Sequence, residues 1–495
     1  MVSAPATRFA KRWLYISHRW LGILTCLFCA MWFISGVVMM YVPYPRLTDR
    51  ERLALAGLID WTQVAIPPDD ALRAAGVARY PTQLRLATFL GEPVFRVVDS
   101  AIRCTVSARD GRMIGETDEK MALAVIAETR SDASRATVET LVRDQWTVAQ
   151  GFNPHRPLHK VSLHDEAGAE LYVSSRTGEI VQATQRRERF WNWLGAVPHW
   201  LYPTVLRQDG DAWRQVVLWT SGPASVGAIA GLWIGILRLR ARHRYRGGRL
   251  TPYRGWMKWH HVAGLVAGLF LTTWLASGWL SVNPFHLFDR ASVSLEALRS
   301  YAGESAPTFA GDAGVLRRLP APGAREARFV WFDGRPLIVA TDEALAQTVF
   351  DARNGDPVVL SNADIWGAAQ RLVPGGLLLD LVRITDEDAY WYSHHAERRL
   401  PVLRAVFGDD AETWIYIDPE TGEVIGRTNA SGRAYRWLFN ALHDFDLRIL
   451  LRHRPAWDIV VGSLSLGGLI VSVSGIVIGW RRIGRNLEAR TRTHR

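Results

Sequence analysis

The sequence predicts a membrane protein: an α-helical four-span bundle formed by two parallel repeats, with two α+β domains outside the lipid. Three observations predict it. Four apolar runs, near 21–42, 216–237, 262–282 and 459–480, each have the length that crosses a hydrocarbon core, about 20 residues. Two long polar stretches, roughly 43–212 and 283–456, alternate with them. Residues near 90–237 also match residues near 334–481 at one constant offset of 244. Such self-similarity reorganises every later assignment.

The spans come first. Tryptophan and tyrosine cluster at the ends of the runs, as in interfacial belts. Positive charge sets the orientation. Arg8, Lys11, Arg12 and Arg19 precede the first span, RLRARHRYRGGR links the second to the third, and RRIGRNLEARTRTHR follows the fourth. All three belong on the cytoplasmic side by the positive-inside rule, so both long stretches face outward. The net charge of +11 is read as this topology signal, with no nucleic-acid partner. The first run lacks a small-residue cleavage site and is expected to stay as an anchor.

The pattern divides the chain into eight segments. The N-terminal flank and first span take 1–42 and the first outer domain 43–190. An interfacial segment and the second span occupy 191–240, and a basic link 241–258. The third span is 259–282, the second outer domain 283–432, the interfacial segment and fourth span 433–482, and the tail 483–495. Both repeats begin inside, so they are expected to be related by an axis along the membrane normal. Equivalent residues then share a depth. In the outer domains, 95–107 with Asp110-Gly111 and 329–341 with Asp333-Gly334 read as hairpins, followed by helices over 119–143 and 362–372. A second hairpin closes each domain through Thr177-Gly178-Glu179 or Thr421-Gly422-Glu423.

The histidines carry the chemistry. His18 and His260 open the first and third spans at an offset of 242, and His199 and His443 precede the second and fourth at 244. Equal depth pairs His18 with His260 and His199 with His443. An imidazole in or beside lipid is a functional candidate. A haem between two helices needs an axial nitrogen from each side and glycines that admit the macrocycle. Gly22 and Gly36 share a helical face with His18, and Gly264 and Gly278 share one with His260. No Cys-x-x-Cys-His occurs, so the expectation is two haem b, with the four histidines as axial ligands of the iron and no acid–base catalytic residue.

Rival assignments remain at this level. His261, whose repeat counterpart is Arg19, is a supporting residue and the main rival of His260. Gly227, Gly231 and Gly235 read as a helix-packing ridge. Cys26 and Cys29 read as small apolar filler of the first span, and Cys104 stands alone outside the spans. His155, His159 and His164, and His394 with His395, are outer groups without histidine counterparts, taken as solvated loop residues. Zinc is a weaker ligand for the pairs, with only Asp444 and Asp446 beside His443 as carboxylates.

These residues resemble a known family, the PepSY-associated transmembrane-helix proteins, also called iron-regulated membrane proteins. The matching features are His-Arg-Trp-Leu-Gly from His18 to Gly22 with Ser35-Gly36 downstream, and the hairpins that begin at Tyr172 and Tyr416. The Trp-Leu pairs five and six residues ahead of His199 and His443 match as well. The resemblance implies PepSY-like periplasmic domains on a multi-pass protein of the bacterial inner membrane, with both termini cytoplasmic. It also implies a dihaem reductase that takes iron from a ferric siderophore as Fe(II), with His18, His199, His260 and His443 as ligands. No Gly-x-Gly-x-x-Gly follows a strand, so the electron donor is expected to be a membrane quinol or a separate cytoplasmic reductase. Two alternatives stand: a non-enzymatic regulator that binds a periplasmic peptidase or sensor, and a siderophore or haem transporter.

Overall fold

The computed structural model describes residues 4–493 except 79–80, 100–101, 131–132, 290–291, 304–307, 310 and 395–396, and no side chains for 4–8, 486–487 and 489–493. Four helices are long and apolar enough to cross a membrane: Phe9–Met39, Gly210–Arg238, Gly255–Ser281 and Arg454–Arg485. They are called the first to fourth spans. The first packs on the second and fourth, and the third packs on the same two, which closes a four-helix ring. Leu24, Leu27, Val266 and Leu269 are each more than 65% exposed on its outside, an apolar surface suited to lipid and costly in water. Inside, Cys29, Phe33, Ala224, Leu271, Leu275 and Val471 form the bundle core.

Local chemistry explains the helix ends. Asp209 caps the second span by accepting from the backbone N–H groups of Asp211 and Ala212. Within the spans, Thr25, Ser221, Ser225, Ser465 and Ser472 hydrogen-bond the carbonyl four residues back, so their hydroxyls need no water. The fourth helix continues to Thr493, and the predicted tail is therefore helical over its described part.

Between the spans lie three antiparallel sheets. Strands β1 (Gln83–Phe89), β2 (Glu92–Val98), β3 (Arg103–Ser107) and β4 (Met113–Ile114) come from the first outer region. Strands β9 (Ala324–Phe332), β10 (Arg335–Asp342) and β11 (Gln347–Asp351) come from the second. They form one seven-stranded sheet in the order β11-β10-β9-β1-β2-β3-β4. The two outer regions are thus joined at the β1–β9 seam, where Leu84 faces Phe329, Arg85 faces Arg328 and Leu86 faces Ala327. Leu84, Leu86, Phe95, Phe309, Phe329 and Trp331 bury themselves together beneath it.

Each region adds a four-stranded sheet. The first is β5 (Thr137–Leu141), β6 (Leu158–Ser162), β7 (Glu170–Ser174) and β8 (Ile180–Thr184). The second is β12 (Leu378–Ile384), β13 (Val402–Phe407), β14 (Trp414–Ile417) and β15 (Val424–Thr428), in the same sequential order. The Thr-Gly-Glu turns join β7 to β8 and β14 to β15 and dock on the seam. Arg85 bridges Glu179 and Glu326 at 2.7 and 2.8 Å, and Arg328 pairs with Glu423 at 2.8 Å. Like charges face each other across β1 and β9, and these glutamates offset them.

Several local expectations change. The expected helix over 119–143 ends at Thr129, and β-branched Thr137, Val138 and Thr140 pair with β6 instead. The helix expected over 362–372 ends at Ala369. Within 95–107 the hairpin is β2 paired with β3, and Asp110-Gly111 instead joins β3 to the short β4. The hairpin through Asp333-Gly334 is β9–β10 as expected.

Candidate functional site

The bundle brings the four histidines together two by two. His18 and His260 have ring centroids 6.2 Å apart, inclined by 35°. His199 and His443 are also 6.2 Å apart, inclined by 63°. Seventeen residues of the first span separate His18 from Ser35, the neighbour of His199, which is about 26 Å of helical rise. One pair therefore lies near the end of the bundle with both termini, and the other near the sheets.

Each imidazole is held through the same ring nitrogen. Nδ1 of His18 donates to the Gly227 carbonyl at 2.9 Å, and Nδ1 of His260 to the Val471 carbonyl at 3.2 Å. Nδ1 of His199 donates to the Trp32 carbonyl at 3.1 Å, and Nδ1 of His443 to the Trp274 carbonyl at 3.2 Å. Ser474, Ser35 and Ser277 hydroxyls lie within 3.0–3.1 Å of Nδ1 in His260, His199 and His443. A carbonyl can only accept, so Nδ1 carries the proton in all four rings and Nε2 keeps its lone pair. No Nε2 of the four is hydrogen-bonded among the described residues. A backbone carbonyl on the far nitrogen is the usual outer support of a metal-ligating histidine.

The spacing suits one metal ion per pair. An imidazole nitrogen binds a first-row ion at about 2.0–2.1 Å, so two rings on opposite sides have centroids about 6 Å apart. Around His18 and His260 lies a cavity of ≈ 490 Å³, whose lining includes Gly22, Gly264 and Cys26. That is within the usual range for a bound small molecule, about 300–1,000 Å³. Gly22 and Gly264 have nothing within 4 Å of where a Cβ would stand, so their face is open space.

The glycines divide their work differently from the single shared face expected. Gly36 and Gly278 back the outer pair, since a Cβ on either would lie 3.2 Å from Cε1 of His199 or His443. Gly231, expected to serve helix packing, seats His18: a Cβ there would lie 2.8 Å from Nδ1 and nearer still to Cε1. Gly227 and Gly235 do pack against Leu21 and Leu265 of neighbouring spans. A histidine and a glycine on separate helices share no local pattern. Only the repeat, which sets Gly475 near His260 at 3.5 Å, could have signalled the seat.

The outer pair sits on irregular helices. His443 ends a π-helix over Arg436–Asp444, where Phe439 stacks on its ring at 5.2 Å and Tyr435 stacks on Phe439 at 5.2 Å. Such i→i+5 turns concentrate at functional sites. The Trp274 indole donates to the His443 carbonyl, while the Trp274 carbonyl accepts from its ring, so one residue clamps both ends. Burial lowers the imidazoles of both His199 and His443 below their ordinary range, and the His443 ring further penalises charge on His199. Both are neutral near pH 7, as ligation requires.

The remaining candidates take other roles. His261 lines the same cavity, but its Nε2 donates to the Gly235 carbonyl at 3.0 Å and its ring meets Tyr253. Cys26 lines the inner cavity, Cys29 is in the bundle core, and Cys104 is buried in the shared sheet. His155, His159 and His164, expected as solvated loop residues, are committed separately to Ser174, to Thr140 and the Thr117 carbonyl, and to Thr137, and His159 is instead buried within β6, where the strand turns its ring inward. His394 pairs with buried Asp446 at 2.5 Å, which also accepts from Tyr392 at 2.8 Å; His395 lies outside the described residues. Among the described residues no group of three or more histidine, cysteine, aspartate or glutamate side chains gathers to hold a metal ion.

Residues 380–495 match the family described as the PepSY-associated TM region, the family that the sequence motifs resemble. The matched segment runs from β12 through the π-helix and fourth span, so it contains His443 and the Val471 and Ser474 partners of His260. No curated protein matches the chain.

Proposed function

We propose that this multi-pass membrane protein is a dihaem electron-transfer protein of the bacterial inner membrane that reduces a ferric siderophore, or a similar Fe(III) chelate, in the periplasm. The observation that carries the reading is the shared tautomer. Four histidines in two facing pairs each spend Nδ1–H on a backbone carbonyl and keep Nε2 free. A haem b at each pair would supply reversible one-electron chemistry.

The chain's own residues do the rest. His18 with His260, and His199 with His443, would ligate from opposite sides. Gly22 and Gly264 leave room beside the inner pair, and Gly231, Gly36 and Gly278 let the rings seat against backbone. Low-polarity walls from Cys29, Leu271 and Leu275 exclude water between the pairs. In this reading the halves are parallel repeats, with arginine-rich ends in the cytoplasm and sheets in the periplasm. One electron per metal converts Fe(III) to Fe(II) and loosens its hold by hard oxygen ligands. A membrane quinol or a separate cytoplasmic reductase is oxidised in step.

A dithionite-reduced minus oxidised absorption spectrum of the purified protein tests the reading. His18→Ala and His199→Ala are each expected to remove one of two haem signals and spare the other. Loss of both signals from folded single variants would refute the pairing. Colourless wild-type protein would favour the regulator that restrains a periplasmic peptidase or sensor.

A further inference from the structure

Histidine ligation leaves one end of the inner cavity unexplained. Its walls are mainly small and apolar, yet its lining also includes Arg19, Arg482 and Arg485, and contains no carboxylate. Arg19 adjoins His18 in sequence. Arg482 and Arg485 are three apart on the fourth span, one face of that helix, and Arg482 lies seven residues beyond Gly475, which packs near His260. All three guanidinium-bearing residues are exposed at the end of the bundle that carries both termini. The repeat counterpart of Arg482, Arg238, is differently engaged: it donates to the Tyr15 hydroxyl at 2.6 Å and lies over the Tyr15 ring.

An apolar cavity lined by metal-ready nitrogens and by three cations, with no carboxylate, fits one ligand shape. The ligand is flat and apolar, with a metal in the middle and anionic groups along one edge. A neutral quinol has no use for the arginines. We propose that Arg19, Arg482 and Arg485 bind the two propionate carboxylates of the inner tetrapyrrole and so turn that edge toward the terminal end of the bundle. The inference rests on the haem reading above. Guanidinium forks pair with carboxylates in bidentate geometry, and exposure keeps each contribution small. The expected loss is about 2–5-fold in affinity per arginine and about 10–100-fold for all three if their effects combine.

Full-length His199→Ala protein, in which only the inner pair remains to ligate, is stripped of haem and placed in phosphatidylcholine nanodiscs. It is titrated with iron protoporphyrin IX and with its dimethyl ester, followed by the absorption of the bis-imidazole complex. The diacid is expected to bind about 10–100-fold tighter than the diester. Arg19→Gln/Arg482→Gln/Arg485→Gln should abolish that preference while keeping the bis-imidazole spectrum. Equal binding of the two porphyrins to the arginine-bearing protein would overturn the proposal without needing any arginine variant. So would a preference that survives the triple substitution. If the arginines instead hold lipid phosphate, the triple variant will lose phosphatidylglycerol binding with the diacid preference intact, and that too refutes it. Failure of both porphyrins to bind would sink the haem reading itself.

Discussion

Replacing Gly231 by alanine tests whether His18 is a positioned ligand. The added methyl would stand 2.8 Å from Nδ1 of His18 and closer to Cε1, whereas carbon atoms sit comfortably at about 3.5–4.0 Å. The ring must therefore move by roughly 1 Å, and the 2.9 Å hydrogen bond from Nδ1 to the Gly227 carbonyl cannot survive such a shift unchanged. Loss of a supporting partner typically costs about 10–100-fold in metal affinity. The position equivalent by repeat is a built-in control, because a methyl at Gly475 would lie 3.5 Å from His260, an ordinary contact. In haem titrations of the full-length protein, Gly231→Ala should weaken the inner site by that factor and leave the outer site alone, while Gly475→Ala should behave as wild type. Overpacking would cost Gly231→Ala about 1–3 kcal/mol of stability, so melting is measured beside the titration. Two haems bound with wild-type affinity and spectra in folded Gly231→Ala would show that the seat has no bearing on the site.

Other outcomes follow from the same coordinates. Gly22→Leu directs its side chain from an open position into the cavity lining, since nothing lies within 4 Å of its Cβ position; it should melt close to wild type yet lose the inner haem signal, and retention of that signal would mean the cavity is not the binding space. Arg85→Ala removes one of two arginines from each of Glu326 and Glu179, whose side chains are 6% and 17% exposed and which keep Arg52 and Arg96. A hydrogen bond to a charged group contributes about 1.5–3 kcal/mol, and thermal unfolding of the β-sheet domains should report a loss of that order; an unchanged melt would show the bridge to be neutral. Burial favours protonation of Glu179 and Glu326, but Arg96 and Arg85 beside the first, and Arg85 and Arg52 beside the second, outweigh it and hold both below the usual carboxylate range. Their contribution is therefore complete above the unfolded value of about 4.3 and is lost as the pH falls through the lower folded values. Glu423 opposes this in part, because burial raises it and Arg328 is the main attraction. The melting temperature should drop steeply below about pH 4, less so in Arg85→Ala, and equal slopes would remove these glutamates from the account.

Particular residues show how far one dimension reaches. The spans, the constant offset of 244 and the histidine spacings are written in the order of residues, because lipid demands about 20 apolar residues and matched segments keep one register. The fate of 119–143 was not legible: the amphipathic pattern continues past Thr129, and the preference of Thr137–Leu141 for β6 appears only when β6 is beside it. The Thr-Gly-Glu turns could be found as a motif, but their purpose is visible only where Glu179 meets Arg85. His260 and His261 are neighbours in the chain, and it is the rotation of the third span against the first and second that sends one ring to His18 and the other to Gly235.

By itself the sequence determined a four-span chain with α+β parts between the spans and four histidines set at repeating distances, because span length and helical period are properties of consecutive residues. Tertiary structure decided that two outer regions share one sheet, that Gly231 cradles His18, and that each imidazole gives Nδ1 to a carbonyl of another segment. Those are relations between residues far apart in the chain, and their energies exist only once packing has brought the partners within contact.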